Sequence, residues 1–257
     1  MTIRTFVSDS VGPVVLGLGL PTGSVHVEVV DGLSRAEVRL WTADSSGPAA
    51  DAVHAARFTE RGQTIAVEVP EMPGNVMTQS VRGNRITQTI GTVHGSVTGA
   101  VIINGRVVSG GSGGMATVSP IEARISLPDR SSLAVVSTSA DAVVDGEVDR
   151  MEFRSTSGSL RASGARTVFA SATSGDVALR RVEERITAHS ISGDLAVDLY
   201  GGQGAELSTT SGDVQVSASL TASGPLRATS VSGDVHVSGA RNLHVSAHSI
   251  SGHVRTR

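Results

Sequence analysis

The tetrad Ser-Gly-Asp-Val, with Leu replacing Val once, stands at residues 174–177, 192–195, 211–214 and 232–235. The Gly positions of the repeat, extended to Ala140 before it and Gly252 after it, are 17 to 21 residues apart. A unit that returns at a nearly fixed spacing predicts stacked copies of one structural element. Degenerate copies of the tetrad flank the series at residues 139–142, 157–160 and 251–254.

Each tetrad is followed by residues that alternate between apolar and polar, as in Val214-Gln215-Val216 and Val235-His236-Val237. A period of two is typical of strands with one buried face and one exposed face. Stacking the coils would pair each strand with its equivalent about 4.8 Å away. The sequence therefore predicts an all-β fold, a parallel β-solenoid (β-helix) with coils of about 19 residues.

The tetrad itself predicts a corner between two short strands. We expect Gly to supply a positive φ there and Asp to accept hydrogen bonds from nearby backbone N–H groups. The same pattern predicts an inward column of serine hydroxyls at the first tetrad position, namely Ser157, Ser174, Ser192, Ser211, Ser232 and Ser251. The predicted structural corner residues are Gly158, Gly175, Asp176, Gly193, Asp194, Gly212, Asp213, Gly233, Asp234 and Gly252.

Changes in composition divide the chain into three parts. Residues 1–75 form an N-terminal β region, expected to be the first coils, with one short helix from Pro48 to Arg57. Residues 76–118 are predicted to be a Gly-rich β insertion or hairpin with a flexible linker, since Asn104-Gly105 is a hairpin signal and Gly-rich residues 110–114 follow. A short-period β-roll is the alternative for this segment. Residues 119–257 form the repeat solenoid.

Composition excludes several chemistries for the 257-residue chain. It has no Cys, which excludes disulfides and thiolate nucleophiles. It also has no Lys, since all 21 Lys or Arg residues are Arg, and this excludes P-loop lysines and Schiff bases. A net charge of −3 gives no global attraction to nucleic acid. No signal peptide or membrane span is evident, so we expect a cytoplasmic chain, with cell-surface association left open.

These residues resemble a known family, the bacterial putative-adhesin domain of unknown function, which repeats a Ser-Gly-Asp-Val corner in a β-solenoid. The resemblance rests on the tetrads, on the lead-in at residues 125–133, on Gly23-Ser24-Val25-His26-Val27 and on residues 65–70. It implies a solenoid fold and an adhesin-like role. Fold alone does not fix function.

Candidate sites compete with simpler structural interpretations. The carboxylate ladder of Asp176, Asp194, Asp213 and Asp234 could bind Ca²⁺, but one Asp per coil is sparse for a cation that takes six to eight oxygens, so corner capping is favoured. A metal site of Asp234, His236 and His253 competes with exposed polar positions. Residues 110–114 match a nucleophile elbow but lack its strand–turn–helix context. We expect no catalytic residue, cofactor or metal.

Three functions remain open. The leading hypothesis is a non-enzymatic, adhesin-like β-solenoid that serves as an interaction or display scaffold for a protein or surface polymer, with the loop from Ala218 to Pro225 as one contact region. The second is a self-assembling structural protein that forms homo-oligomers by end-to-end or lateral stacking. The third is a carbohydrate-active β-helix enzyme, which the scarcity of aromatics, 2% of residues, disfavours.

Overall fold

The computed structural model describes residues 1–72, 76–82, 85–90, 101–103, 106–108, 116–239 and 241–257. Its one described helix is α1 (Pro48–Ala55). The strands are β1 (Thr2–Val7), β2 (Val15–Gly19), β3 (Thr22–Val30), β4 (Glu37–Thr42), β5 (Arg57–Arg61), β6 (Thr64–Glu68), β7 (Val76–Arg82), β8 (Arg85–Ile90), β9 (Val101–Ile103), β10 (Arg106–Val108), β11 (Ala116–Val118), β12 (Glu122–Pro128), β13 (Ser132–Ser137), β14 (Ser139–Ser155), β15 (Leu160–Ala172), β16 (Val177–His189), β17 (Leu195–Tyr200), β18 (Gly204–Ser208), β19 (Val214–Ala218), β20 (Gly224–Ser230), β21 (Val235–Ser238), β22 (Leu243–Ser249) and β23 (Val254–Thr256).

The repeat strands stack in parallel as two rows, one on each side of the Ser-Gly-Asp corner. The pre-corner stack contains, in spatial order, β5, β6, β2, β13, the C-terminal halves of β14, β15 and β16, then β18, β20 and β22. The post-corner stack contains β1, β4, β12, β3, the N-terminal halves of β14, β15 and β16, then β17, β19, β21 and β23.

The register places equivalent residues of successive coils beside each other. Leu195 pairs with Val177 below it and with Val214 above it, and Val214 pairs in turn with Val235. The predicted parallel β-solenoid is therefore confirmed, with coils about 19 residues apart.

Alternation along the strands fills the space between the two stacks with aliphatic side chains. Inward positions of β15 and β16 are Leu, Ala, Val and Ile, and each is buried. Two aromatic rings also fit inside, those of Phe153 and Tyr200. Burial raises the pKa of Tyr200, whose phenolic oxygen accepts the backbone N–H of Gly204 at 2.6 Å. The interior is a packed core.

The first coils are stacked in an order that differs from the order of the chain. Strand β2 lies between β6 and β13, and β3 lies between β12 and β14. The N-terminal coil of β2 and β3 is thus inserted between two coils that come much later in the sequence.

The N-terminal end of the solenoid is closed by antiparallel elements. Strand β1 pairs antiparallel with β4, and β5 pairs antiparallel with β6. The rings of Phe6 on β1 and Phe58 on β5 stack 5.1 Å apart, which joins the two rows at this end. Helix α1, which starts at a proline as predicted, packs on β1 and β4.

The segment between β6 and β12 leaves the solenoid at the position that the corner occupies in the other coils. Within it, β7 pairs antiparallel with β8, β9 pairs antiparallel with β10, and β11 runs parallel to β7. The turn predicted at Asn104-Gly105 and the linker predicted at residues 110–114 lie outside the described residues. No helix of the described ranges has the length and apolar content needed to cross a membrane.

A carboxylate at this end makes stability dependent on pH. Glu60 accepts the hydroxyl of Ser8 at 2.7 Å and the backbone N–H groups of Asp9 and Ser10, both at 3.0 Å. These bonds, the Asp9 N–H foremost, lower the pKa of Glu60 from 4.5 to about 2. Because the pKa is lower in the folded state, its stabilisation is complete above about pH 4.5 and is lost as the pH falls towards 2.

Glu60→Gln is therefore expected to lower the free energy of unfolding by about 1 kcal/mol at pH 7, and the difference should shrink steadily below pH 4.5. Urea unfolding of both proteins at pH 7, 4 and 3 measures it. The exposed Glu206→Gln is the control, for which we expect no such difference. A Glu60→Gln effect that stays constant across these pH values would contradict the assignment.

Candidate functional site

The Ser-Gly-Asp corner runs as a straight edge along the solenoid, and its glycines form a tightly stacked column. None of these glycines has a positive φ, so the predicted conformational reason is wrong. A Cβ on Gly193 would instead lie 2.0 Å from the carbonyl oxygen of Gly175, and one on Gly212 would lie 2.1 Å from that of Gly193. Glycine is required because successive coils approach too closely for any side chain. The same overlap, 1.9 to 2.1 Å, occurs at Gly158, Gly175, Gly233 and Gly252.

The predicted inward column of serines is also wrong, because the first residue of each tetrad is exposed. Ser157, Ser174 and Ser192 lie at the surface and donate only long hydrogen bonds, 3.3 to 3.4 Å, to carbonyl groups of the coil below. The corner turns the chain before this position, so the alternation of the preceding strand does not extend to it. Ser211, Ser232 and Ser251 are likewise exposed.

A different hydroxyl column, three residues before each glycine, lies inside the corner. Ser230 accepts the backbone N–H of Gly233 at 2.9 Å and donates to the carbonyl of Gly212 at 2.9 Å. Thr209 donates to the Gly193 carbonyl at 3.1 Å. One hydroxyl thus satisfies two backbone groups of adjacent coils. The sequence does contain a signal for this column. The position three residues before the glycine is Ser or Thr at residues 155, 190, 209, 230 and 249, with Ala172 as the exception.

The corner aspartates form a second ladder on the exposed side of the same edge. The Oδ1 atom of each accepts the backbone N–H of the ladder residue one coil further on, at 3.0 Å from Asp176 to Asp194 and 2.8 Å from Asp194 to Asp213. Asp213 accepts the Asp234 N–H at 2.7 Å. These carboxylates act between coils, which gives them a structural use in the described part of the chain.

The ladder ends at His253, whose backbone N–H donates to Asp234 Oδ1 at 2.8 Å. That hydrogen bond lowers the pKa of Asp234, and the His253 ring Nδ1 lies 3.6 Å from the same oxygen. His236 lies beside them on β21. Within the described residues, no group of three His, Asp or Glu side chains has the geometry to hold a metal ion.

The opposite edge, where each post-corner strand turns into the next pre-corner strand, carries ion pairs between coils. Arg166 contacts Asp149 and Glu184, one coil to each side, both at 2.7 Å. The hydrogen bond from Arg166 lowers the pKa of Asp149. These side chains are largely exposed, so each pair adds little stability.

Two flat outer faces remain, formed by the outward side chains of the stacks. On the pre-corner stack, the outward positions from β14 to β22 carry arginines, histidines, hydroxyl groups and Phe169. The Arg154 guanidinium lies over the Phe169 ring, 5.1 Å from its centre. On the post-corner side, the aspartate ladder and Asp141, Asp145 and Asp198 are exposed. Arg124, Arg161 and Arg180 are exposed on the post-corner side as well, so the two faces differ in net charge and not in the presence of arginines.

The family model for Toastrack DUF4097 matches residues 49–257. The chain belongs to this family. The match covers the corner tetrads and confirms the resemblance to a bacterial putative-adhesin domain of unknown function. No curated protein matches the sequence.

Two solved structures are similar to this chain. A protein described as a putative adhesin from Bacteroides fragilis NCTC 9343 is similar over 100% of this chain and 97% of its own, with a TM-score of 0.56 and 12% identity. Another from Parabacteroides distasonis ATCC 8503 covers the same shares with a TM-score of 0.49 and 10% identity. The similarity to the first shows a shared fold.

Proposed function

We propose that this Toastrack protein is a non-enzymatic, adhesin-like scaffold that binds a partner through its outer sheet faces. The observation that carries the proposal is that the repeated polar side chains of the corner are already hydrogen-bonded within the solenoid. Its hydroxyls and carboxylates are engaged in hydrogen bonds between coils, as with Ser230 and Asp194. The repeated residues build a rigid support, and the variable outward residues are left to make contacts.

Two further observations support this function. The space between the stacks is filled by buried aliphatic side chains, which leaves the flat faces as the extended surface of the solenoid. The Bacteroides fragilis structure with the same fold is described as a putative adhesin. We therefore expect recognition over several coils of one face.

Binding to cell surfaces tests the proposal directly. We expect the fluorescently labelled, full-length chain to bind intact bacterial cells of its source saturably, and an excess of unlabelled chain to displace it. Flow cytometry measures both. A parallel incubation with polysaccharides should release no reducing ends, because a non-enzymatic scaffold does not cleave glycosidic bonds.

Two controls separate the alternatives. Release of sugar that Asp194→Ala or Asp234→Ala abolishes would contradict the proposal and favour a carbohydrate-active enzyme that uses the ladder. The self-assembly alternative draws on β22, where Leu243, Val245 and Ala247 face the core but are only partly buried. Large particles in light scattering that electron microscopy shows to be filaments, together with no displaceable cell binding, would contradict the scaffold proposal. They would favour a self-assembling structural protein instead.

A further inference from the structure

We infer that the outer face of the pre-corner stack, from β14 to β22, binds an acidic polysaccharide. This inference rests on the proposed scaffold function and names the chemical class of its partner. This arginine face is defined by the exposed side chains of Arg150, Arg154, Arg185 and Arg227.

Charge is the first argument. Four arginines on this face stand against two outward carboxylates, Glu152 and Glu206. Glu152 pairs with Arg154 at 2.8 Å and Glu206 lies beside Arg227, so the excess of positive charge rests mainly on Arg150 and Arg185. The chain as a whole carries −3, so the excess of arginine over carboxylate on this face is local, whereas on the other side the exposed aspartates outnumber the exposed arginines. A positive face on an acidic protein favours an anionic partner at this face alone.

Spacing along the stack is the second argument. Arg150 pairs with Thr167, and Thr167 pairs with Arg185, so the two arginines stand in one column two strands apart. At about 4.8 Å per strand their Cα atoms are separated by roughly 10 Å along the axis. Arg227 lies two strands beyond Arg185 but in the neighbouring column, beside Glu206 and Ser246, because Arg185 pairs with Gly204 and not with Glu206. Guanidinium groups repeated along one axis suit a linear polymer with regularly spaced carboxylates or sulfates, because each fork can bind such a group bidentately.

The neighbouring side chains favour a sugar polymer over other polyanions. Ser171, Ser208 and Thr229 lie on the same face, so hydroxyl donors and acceptors accompany the charges. A single-stranded nucleic acid needs successive aromatic platforms. The aromatic ring on this face from β14 to β22 is Phe169, and Arg154 covers one side of it. Hydroxyls interleaved with arginines match the hydroxyl and acidic groups of a uronic-acid or sulfated polysaccharide.

Immobilised alginate and dextran sulfate, with uncharged dextran beside them, test the inference by surface plasmon resonance. We expect the full-length chain to bind both acidic polymers, to ignore dextran and to bind more weakly as salt increases. The triple variant Arg150→Gln, Arg185→Gln and Arg227→Gln should lose about tenfold in affinity. The two polymers distinguish carboxylate from sulfate recognition.

The chain offers a matched control on its other face. Arg124, Arg161 and Arg180 are also exposed, on the post-corner stack, so changing all three to Gln removes the same charge elsewhere. This control should change affinity by less than about twofold if the arginine face is the site. Equal losses in both triple variants, no binding to either polymer, or tighter binding to single-stranded DNA or anionic vesicles would each overturn the inference. Displaceable cell binding that persists without polymer binding would leave the scaffold function standing and remove only this partner class.

Discussion

Gly193→Ala is expected to lower the free energy of unfolding by about 3 kcal/mol or more and the melting temperature by roughly 10 °C. The new Cβ would lie 2.0 Å from the carbonyl oxygen of Gly175 and 2.8 Å from the Ser190 hydroxyl oxygen. Backbone on both sides is fixed by the stacked strands, so relief requires separating two coils. Urea and thermal unfolding followed by circular dichroism measure the loss.

Gly17→Ala provides the matched control. Gly17 also lies in a stacked strand, but a Cβ there meets nothing closer than the Ile65 carbonyl oxygen at 3.8 Å. We expect this variant to equal the wild type or to be slightly more stable, since Gly is the weaker strand residue. Similar stability of the two variants would show that close contact between coils is not the reason for glycine at the corner positions.

Ser230→Ala is expected to destabilise the protein by about 2 kcal/mol, with a melting temperature lower by roughly 6 °C. The buried hydroxyl serves the N–H of Gly233 and the carbonyl of Gly212, and its removal leaves two buried backbone groups without that partner. Chemical denaturation gives the free energy. Amide hydrogen exchange should show faster exchange at Gly233 in particular.

Ser230→Thr separates the hydroxyl from the shape of the residue. Thr209 holds the equivalent place one coil below and makes the same bond to a glycine carbonyl, so the corner accepts a threonine. We expect Ser230→Thr to keep nearly full stability. A loss as large as that of the alanine variant would point to packing as the cause. Ala172 occupies this place in one natural coil, which limits the expected loss to a moderate value.

The repeat and its alternation were enough to predict the stacking, because both are local properties of the sequence. Tetrads about 19 residues apart and strands such as Val235-His236-Val237 require only that like coils lie on like coils. The helix at Pro48 was equally local. Contacts between coils escaped prediction, since the distance from Gly193 to the carbonyl of Gly175 depends on how closely two turns settle together.

The residue types of the corner could be predicted from the sequence, but their hydrogen-bond partners could not. The aspartates were expected to accept nearby backbone N–H groups at the corner, and the sequence did not indicate that the N–H accepted by Asp194 belongs to Asp213 of the next coil. The arginine face was not foreseen at all. Its column of Arg150 and Arg185 joins residues 35 apart in sequence, and the register shifts after Val144 and Ala165 decide which residues share that column. A bulge of one residue changes every later pairing, and sequence alternation does not locate it.

The out-of-order position of β3 determines when the protein can fold during synthesis. Both neighbours of β3 come from residues beyond 121, and its last pairing with β14 joins Glu28 to Asp145. A nascent chain must therefore leave β3 without both of its partner strands until more than half of its length has left the ribosome. Later coils add locally, each on the one made just before it. Among the described strand pairings, those of the N-terminal coil close the longest loops, so we expect their formation to be the slowest step of folding.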